Sequence, residues 1–572
     1  MRIIPETPSP RRPAVARRAG LLILVLLVAL VTALVARTIW VYRTYPFDAD
    51  EAIHANGALA MSLDLRAGDF SAFLRTVYEQ GFYPPAFSVL KAVAFLALGP
   101  SPLVARGFSL ACLPVALLMV YLTGRRLDED WGWLIGAIAV ALTLTSQFLL
   151  ITSGLVMMEV PGLLASFGLL WLYMQALEKP NAARLVGTSI LLAITFLTKY
   201  TYGLAAVATV VLMEASRLLT EEERGDAGKQ DGDASLPAVA RRWGWLLGPF
   251  ALIMVVWFAA PSKIAAFWSY ATAQPSSSSW AWEALWFYPR SIALHHSPSP
   301  LFAPVMLIGV VWAAQRWRSA KLRLLLIYFA VGMGEMTLNF PKSPRFISTF
   351  VPAAHILTAA MAVWCLQRWR RLSLSIGWRL VAVLLVISLV MAVPVLFERY
   401  RTYPSLMEMV YETHPKLEEL AGWVQSQIPA GESFYVVNFW DQLSPWALSW
   451  HLGTHDVPPG TRFEDITVPS ALLEEASPEN IASLREEIRA AGVRYVVVFE
   501  GAPWGAPVWW VYAEEMSDML DPLNRRMLYV DLYDTGGWLK RSLLRKGAWE
   551  RVKADGRFTL QVKTTVYAVV GP

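Results

Sequence analysis

The chain has 572 residues, 55% hydrophobic and only 17% charged, with a formal net charge of +5 and a mean hydropathy of +0.42. A soluble chain carries about 25% charge, so soluble and nucleic-acid-binding classes are excluded. Repeated apolar runs near the roughly 20 residues that cross a bilayer predict a polytopic membrane protein. The two cysteines, Cys112 and Cys365, sit in apolar runs, which argues against a disulfide framework or a cysteine metal site.

A tail over 1–19 leads into a first span that we expect to be uncleaved. Spans are predicted at 20–41, 104–123, 131–151, 158–177, 185–199, 201–218, 243–260, 301–315, 322–338, 346–366 and 378–397, eleven in all. Basic clusters lie at 11–18, 125–126, 179–184, 241–242, 316–323 and 368–379. With a cytoplasmic N-terminus and eleven spans, all six fall on the cytoplasmic side, as the positive-inside rule requires. Counting 84–99 ("PPAFSVLKAVAFLALG") as a crossing would invert every later loop, so it is expected to be an outer helix in the interface. Two outer loops follow, 42–103 and 261–300.

Residues 20–399 thus form the transmembrane domain, interrupted by a polar cytoplasmic linker at 219–240. Beyond it the composition changes. "ESFYVVNF" (432–439), "VRYVVVFEG" (493–501) and "GRFTLQVKTTVYAVV" (556–570) pattern as strands, and 477–492 as a helix capped by Ser477. The expected fold is therefore an α-helical polytopic membrane protein with about eleven transmembrane helices and a C-terminal soluble α/β domain (400–572) on the outer face.

This topology gathers scattered charges on one face. After the first span come Asp48, Asp50, Glu51 and His54. Taken alone, the acidic pair at a helix start is as well explained by the helix dipole as by chemistry. Pro84 and Pro85 follow Tyr83, and Arg106 stands at the mouth of a span, within snorkelling reach of lipid phosphate. Glu159, Lys199, Lys342 and Arg345 lie at outer span ends, where each by itself would pass for a headgroup anchor. The loop with Trp280, Trp282, Trp286, Phe287 and Tyr288 suits an interfacial helix, and His295–His296 lacks the spacing of a metal motif.

Together, "DADE" after the first span, "YPPAFSVLKAVAFLALGPSPLVARGFSLA", "VMMEVPG", "LTKYTYG" and "KSPRFISTFVPA", in that order, resemble the GT-C membrane glycosyltransferases. Within that superfamily the stretches resemble the protein O-mannosyltransferase and lipid A aminoarabinose transferase group. The resemblance implies an inverting transferase that takes a sugar from a polyprenyl-phosphate donor at the outer face of a bacterial inner or plasma membrane. It implies Asp50 as catalytic base with Glu51 in support. Lys199 and Arg345 would stand at the donor phosphate, with Arg106 and Tyr83 beside them, and Glu159, His54 and His295 would line the acceptor-side cavity. Tyr83 departs from the Lys or His common before Pro-Pro, which alters one phosphate contact. No motif demands a cofactor, and a divalent metal stays an open alternative. The expected partners are the lipid-linked donor, membrane lipids and an acceptor of unspecified kind, with no nucleic acid. The alternatives are a transporter or flippase for a lipid-linked sugar, and a non-catalytic assembly protein working through 400–572.

Overall fold

The computed structural model describes residues 11–43, 47, 49–80, 83–225, 236–272, 282–338, 342–370, 375–411, 422–424, 426–429, 432, 434–437, 450, 482, 485–486, 488–489, 492–500, 520–532, 552–554 and 557–570. They divide into two compact units: 1–41, 77–90 and 106–407 in one, and 42–76, 91–105 and 408–572 in the other. The second unit takes in 42–76 and 91–105, two pieces around the segment 42–103 expected as an outer loop.

The helices in chain order are α1 (Arg11–Val41), α2 (Ala49–Arg66), α3 (Phe70–Glu79), α4 (Ala86–Leu98), α5 (Pro102–Arg125), α6 (Gly132–Leu144), α7 (Gln147–Ser153), α8 (Glu159–Glu178), α9 (Ala182–Thr198), α10 (Tyr200–Gly225), α11 (Leu236–Trp257), α12 (Pro261–Thr272), α13 (Trp282–Ser291), α14 (Ala303–Ala314), α15 (Ala320–Leu338), α16 (Val351–Arg370) and α17 (Ile376–Tyr411). In the first unit α8 is apolar all round and largely buried, as befits a helix inside a bundle. By contrast α1 and α17 expose Leu22, Leu26, Leu30, Leu380, Val386 and Val390. Such long apolar surfaces need lipid rather than water around them.

Six helices are long and apolar enough to cross a membrane, and two bent pairs raise this to eight. The predicted single span at 131–151 is one of these pairs. It breaks at Thr145–Ser146, where α6 and α7 meet at 76°. The second pair joins α13, its π-helical continuation Ile292–His296 and α14 at 119°. Breaks of this kind strand carbonyls that water cannot reach inside a bilayer. Here α17 satisfies them. Arg399 donates to the carbonyls of Thr145 (2.9 Å), Ser297 (2.8 Å) and Leu294 (2.6 Å), and Tyr400 to that of Leu144 (2.8 Å). The linker expected at 219–240 is shorter than predicted, because α10 continues to Gly225 and α11 starts at Leu236.

The second unit carries a mixed sheet. β1 (Phe434–Val437) runs parallel to β2 (Tyr495–Glu500), which pairs antiparallel with the last strand in the chain. Sequence order then adds β3 (Leu520–Leu532), β4 (Val552–Ala554) and β5 (Arg557–Val569), giving the spatial order β1-β2-β5-β3 with β4 also on β5. Val496, Val497, Val566 and Tyr567 are all buried. Neighbours along a strand point to opposite faces, so both faces of the sheet centre are covered. The three predicted strand regions hold strands. The predicted helix is present at 482, 485–486 and 488–489, while Ser477 lies outside the described residues. β3 was not predicted. Its Pro522, Asn524, Arg525 and Arg526 are poor strand residues, tolerated because it sits at an edge with an irregularity between Pro522 and Asn524.

Candidate active site

In the first unit, α9 and α10 are separated by a single residue. Lys199 has extended backbone (φ −157°, ψ 130°) as the C-cap of α9, and α10 starts at Tyr200. A turn this tight needs Gly203, since a β-carbon there would sit 2.3 Å from the Phe196 backbone. Glu159 opens α8, and Gly162 one turn on leaves room for the Tyr202 ring. Lys199 Nζ lies 3.4 Å from Glu159 Oε1, over the rings of Tyr202 (5.1 Å) and Phe346 (4.6 Å). Arg345 Nε is 4.0 Å from the same oxygen, and its Nη1 lies 3.5 Å from Met157 Sδ. Glu159 is 2% exposed, and its Oε2 is buried without a hydrogen-bond partner. Glu159, Lys199 and Arg345, distant in sequence, are therefore brought together, and the shared carboxylate is only half used.

Arg345 is held by its loop. His296, fully buried, faces the Pro344 carbonyl through Nε2 (2.7 Å) and the Ser146 hydroxyl through Nδ1 (2.8 Å). A carbonyl can only accept, so Nε2 carries the proton and Nδ1 accepts from Ser146. His355 contacts the His296 carbonyl (3.0 Å). Of the histidine pair, His296 makes these contacts, while the predicted His295 is half-buried against Gln147 (3.2 Å) and the edge of Phe148. Lys342 donates to the carbonyls of Met336 and Thr337, closing the end of α15. Arg106, expected to snorkel, is instead fully buried on α5, and Tyr83 is half-buried. A neighbour that sequence reasoning missed is Glu335 on α15. Both of its carboxylate oxygens are buried without hydrogen-bond partners, and Lys199 is near enough to act on it electrostatically.

In the second unit, Asp50 and Glu51 occupy the first turn of α2, at its positive end. Glu51 (1% exposed) and His54 (5%) are buried one turn apart, and Asp50 is half-exposed. Lys91 of α4, fully buried, donates to the His54 carbonyl (3.0 Å). A fully buried lysine is a strong electrostatic feature, yet within an apolar run it reads only as an argument against a crossing. Asp48 lies outside the described residues. Among the described residues no three His, Cys, Asp or Glu side chains gather as a metal cluster.

The family described as dolichyl-phosphate-mannose-protein mannosyltransferase matches residues 83–223, a stretch that contains Glu159 and Lys199. No curated protein matches the chain by sequence. Among solved structures, ArnT from Cupriavidus metallidurans bound to undecaprenyl phosphate is similar at a TM-score of 0.50 and 13% identity, over 96% of this chain and 99% of that one. The Archaeoglobus fulgidus oligosaccharyltransferase in complex with Zn and sulfate gives a TM-score of 0.53 at 14% identity, over 89% and 72%. The same enzyme tethered to an acceptor peptide gives 0.51 at 12%, over 90% and 73%. At identities of 12–14% these likenesses are ones of fold, which the chain shares with ArnT and the oligosaccharyltransferase.

Proposed function

We propose that this protein is an inverting glycosyltransferase that moves a sugar from a polyprenyl-phosphate donor to a hydroxyl-bearing acceptor (protein, lipid or glycan) on the outer face of the membrane. The observation that carries the reading is the pair of cations, Lys199 and Arg345, meeting at a buried and half-satisfied carboxylate. Support also comes from the undecaprenyl phosphate bound by ArnT and from the matched mannosyltransferase family. The eleven-span topology, with α2 and the C-terminal α/β region outside, belongs to the same proposal. So does the inner or plasma membrane location.

In this reading the acceptor oxygen attacks the anomeric carbon from the face opposite the phosphate. The bond to the phosphate oxygen breaks, and the configuration inverts. Asp50 takes the acceptor proton as general base, with Glu51 supporting it at the start of α2. Lys199 and Arg345 meet the extra negative charge that develops on the leaving polyprenyl phosphate. Glu159 orients the two cations between turnovers.

The test replaces Asp50→Asn and Lys199→Ala separately and measures sugar transfer in reconstituted membranes. Each is expected to lose about 100-fold or more in rate. Unchanged transfer in both variants would refute the assignment. Donor translocation without transfer would establish the flippase instead.

A further inference from the structure

The end of α17 divides its polar residues between two faces. Glu398 and Arg401 are more than half exposed and pair with each other at 2.8 Å. Arg399, Tyr400 and Tyr403 instead reach into the bundle for backbone carbonyls. The two tyrosines donate to one each, Leu144 (2.8 Å) and Leu150 (3.3 Å). Arg399 donates to three, those of Thr145, Ser297 and Leu294. An arginine so engaged could serve only to close a helix break, but the identity of its acceptors points further. Leu294 and Ser297 lie on either side of His296 in the chain, and Thr145 precedes Ser146. Ser146 and His296 are the pair joined at 2.8 Å, and the His296 ring goes on to the Pro344 carbonyl (2.7 Å), one residue from Arg345. Nη1 alone spans Thr145 (2.9 Å) and Ser297 (2.8 Å). One nitrogen therefore ties the backbone beside Ser146 to the backbone beside His296.

Other carbonyls of this π-helical turn are taken as well. The Ser297 hydroxyl donates to Ile292 (2.6 Å) and Ala293 (3.2 Å), and His355 Nε2 meets the His296 carbonyl (3.0 Å). Moving His296 relative to Ser146 thus breaks bonds to Arg399. A guanidinium suits this task, because its N–H groups form a rigid planar fork that holds several acceptors at set angles. We propose that Arg399 is a positioning residue of the phosphate site, acting through His296 on Arg345. Its fork sets the His296 backbone against Ser146, and the His296 ring sets the Pro344 carbonyl. The next residue, Arg345, is thereby presented at Glu159 and to the donor phosphate. This inference rests on the reading of Lys199 and Arg345 as the cations that meet that phosphate.

The test measures undecaprenyl phosphate binding to the full purified chain, with KM and kcat of transfer, in the wild type, Arg399→Lys, His296→Phe and the double variant. A lysine keeps the charge but concentrates its donors on one atom. Arg399→Lys should bind the lipid phosphate about tenfold more weakly and raise the donor KM to match, with kcat within about threefold of wild type. Because both residues act along one line, the double variant should bind no more weakly than the weaker single variant. Tyr400→Phe, which removes a carbonyl bond at the same break, should lower the melting temperature and leave binding unchanged. Wild-type binding by Arg399→Lys overturns the inference. So does a double variant whose loss is the product of the two single losses, since Arg399 would then act by a separate route. Where the lysine variant does not fold, Ser146→Ala probes the other end of the line, and undiminished binding there overturns the inference equally. A wild type that neither binds undecaprenyl phosphate nor transfers sugar fails the functional reading and this inference with it. Binding by the wild type that survives intact in Arg399→Lys fails this inference alone.

Discussion

Two clusters, each of one glutamate and two cations, lie along α8 and α10, and they differ in how completely the carboxylate is engaged. Glu214 is completely engaged. Arg242 binds it through Nε (2.8 Å) and Nη2 (2.7 Å), Arg217 at 3.1 Å, and the Tyr173 hydroxyl at 2.8 Å. Glu159 receives Lys199 at 3.4 Å and Arg345 at 4.0 Å, both on one oxygen, while the other has no partner. The first set of donors is short, multiple and closed, which is how a buried charge becomes tolerable. The second is longer and falls on a single carboxylate oxygen. On the proposed reading, Lys199 and Arg345 are the cations that meet the donor phosphate.

The largest break in this contrast should come from Glu214→Leu. It strands Arg242 and Arg217 in a buried setting and should cost about 3–5 kcal/mol of stability. The denaturation midpoint of the purified protein reads this loss, and transfer per folded molecule should be unchanged. A loss below about 1 kcal/mol would remove the distinction, because an exposed pair is worth no more. Lys199→Ala should do the reverse, with transfer down about 10²–10³-fold and a smaller drop in stability than Glu214→Leu. A kcat within threefold of wild type would mean that the loose cluster is not the phosphate site. His296→Phe sharpens the comparison by loosening Arg345 alone. It removes the donor to the Pro344 carbonyl and the acceptor of the Ser146 hydroxyl, at about 1–3 kcal/mol. The kinetic sign is a raised KM for the lipid donor with kcat nearly kept, and His296→Gln, which still offers a donor, should recover part of it.

The smallest effect concerns Lys263 on α12. Its Nζ lies over Trp257 (4.5 Å) and Tyr78 (5.4 Å) and donates to the Gln80 carbonyl. Burial lowers its pKa to about 8, against a partial opposing pull from Glu79. Between pH 8 and the ordinary lysine value the unfolded chain binds the extra proton, so stability should rise with pH across that window. Lys263→Met should flatten the rise in a thermal melt followed from neutral to alkaline pH.

Much of this was legible in the sequence, and the reasons are physical. Hydropathy and the placement of basic residues locate helices at all of the predicted positions, because a bilayer demands apolar length and little else. They do not see the break at Thr145–Ser146, since a bent pair has the same summed hydropathy as a straight span. Glu159, Lys199 and Arg345 could be nominated because each interrupts an apolar pattern at the same end of its helix. That they share one carboxylate oxygen could not be read, for it depends on side-chain reach across three elements. Glu214 and Glu335 do not stand out inside apolar runs, where a window average dilutes a single charge, and Lys91 reads there only against a crossing. Sequence reasoning names His295, while the structure shows that His296 makes the Pro344 and Ser146 contacts; adjacent residues on a helix point about 100° apart, and only packing shows which one turns inward.

The one-residue junction at Lys199 has a consequence for how this chain can change. α9 and α10 meet there with no slack, and Gly203 already touches the backbone of Phe196. An added or deleted residue would rotate α10 by about 100°. It would carry Glu214 away from Tyr173 and Arg242 while displacing Lys199 from Glu159. Substitutions in this stretch can be graded, but length changes cannot. Insertion scanning should therefore find a gap in tolerance centred on residues 198–203, far narrower than the helices it joins.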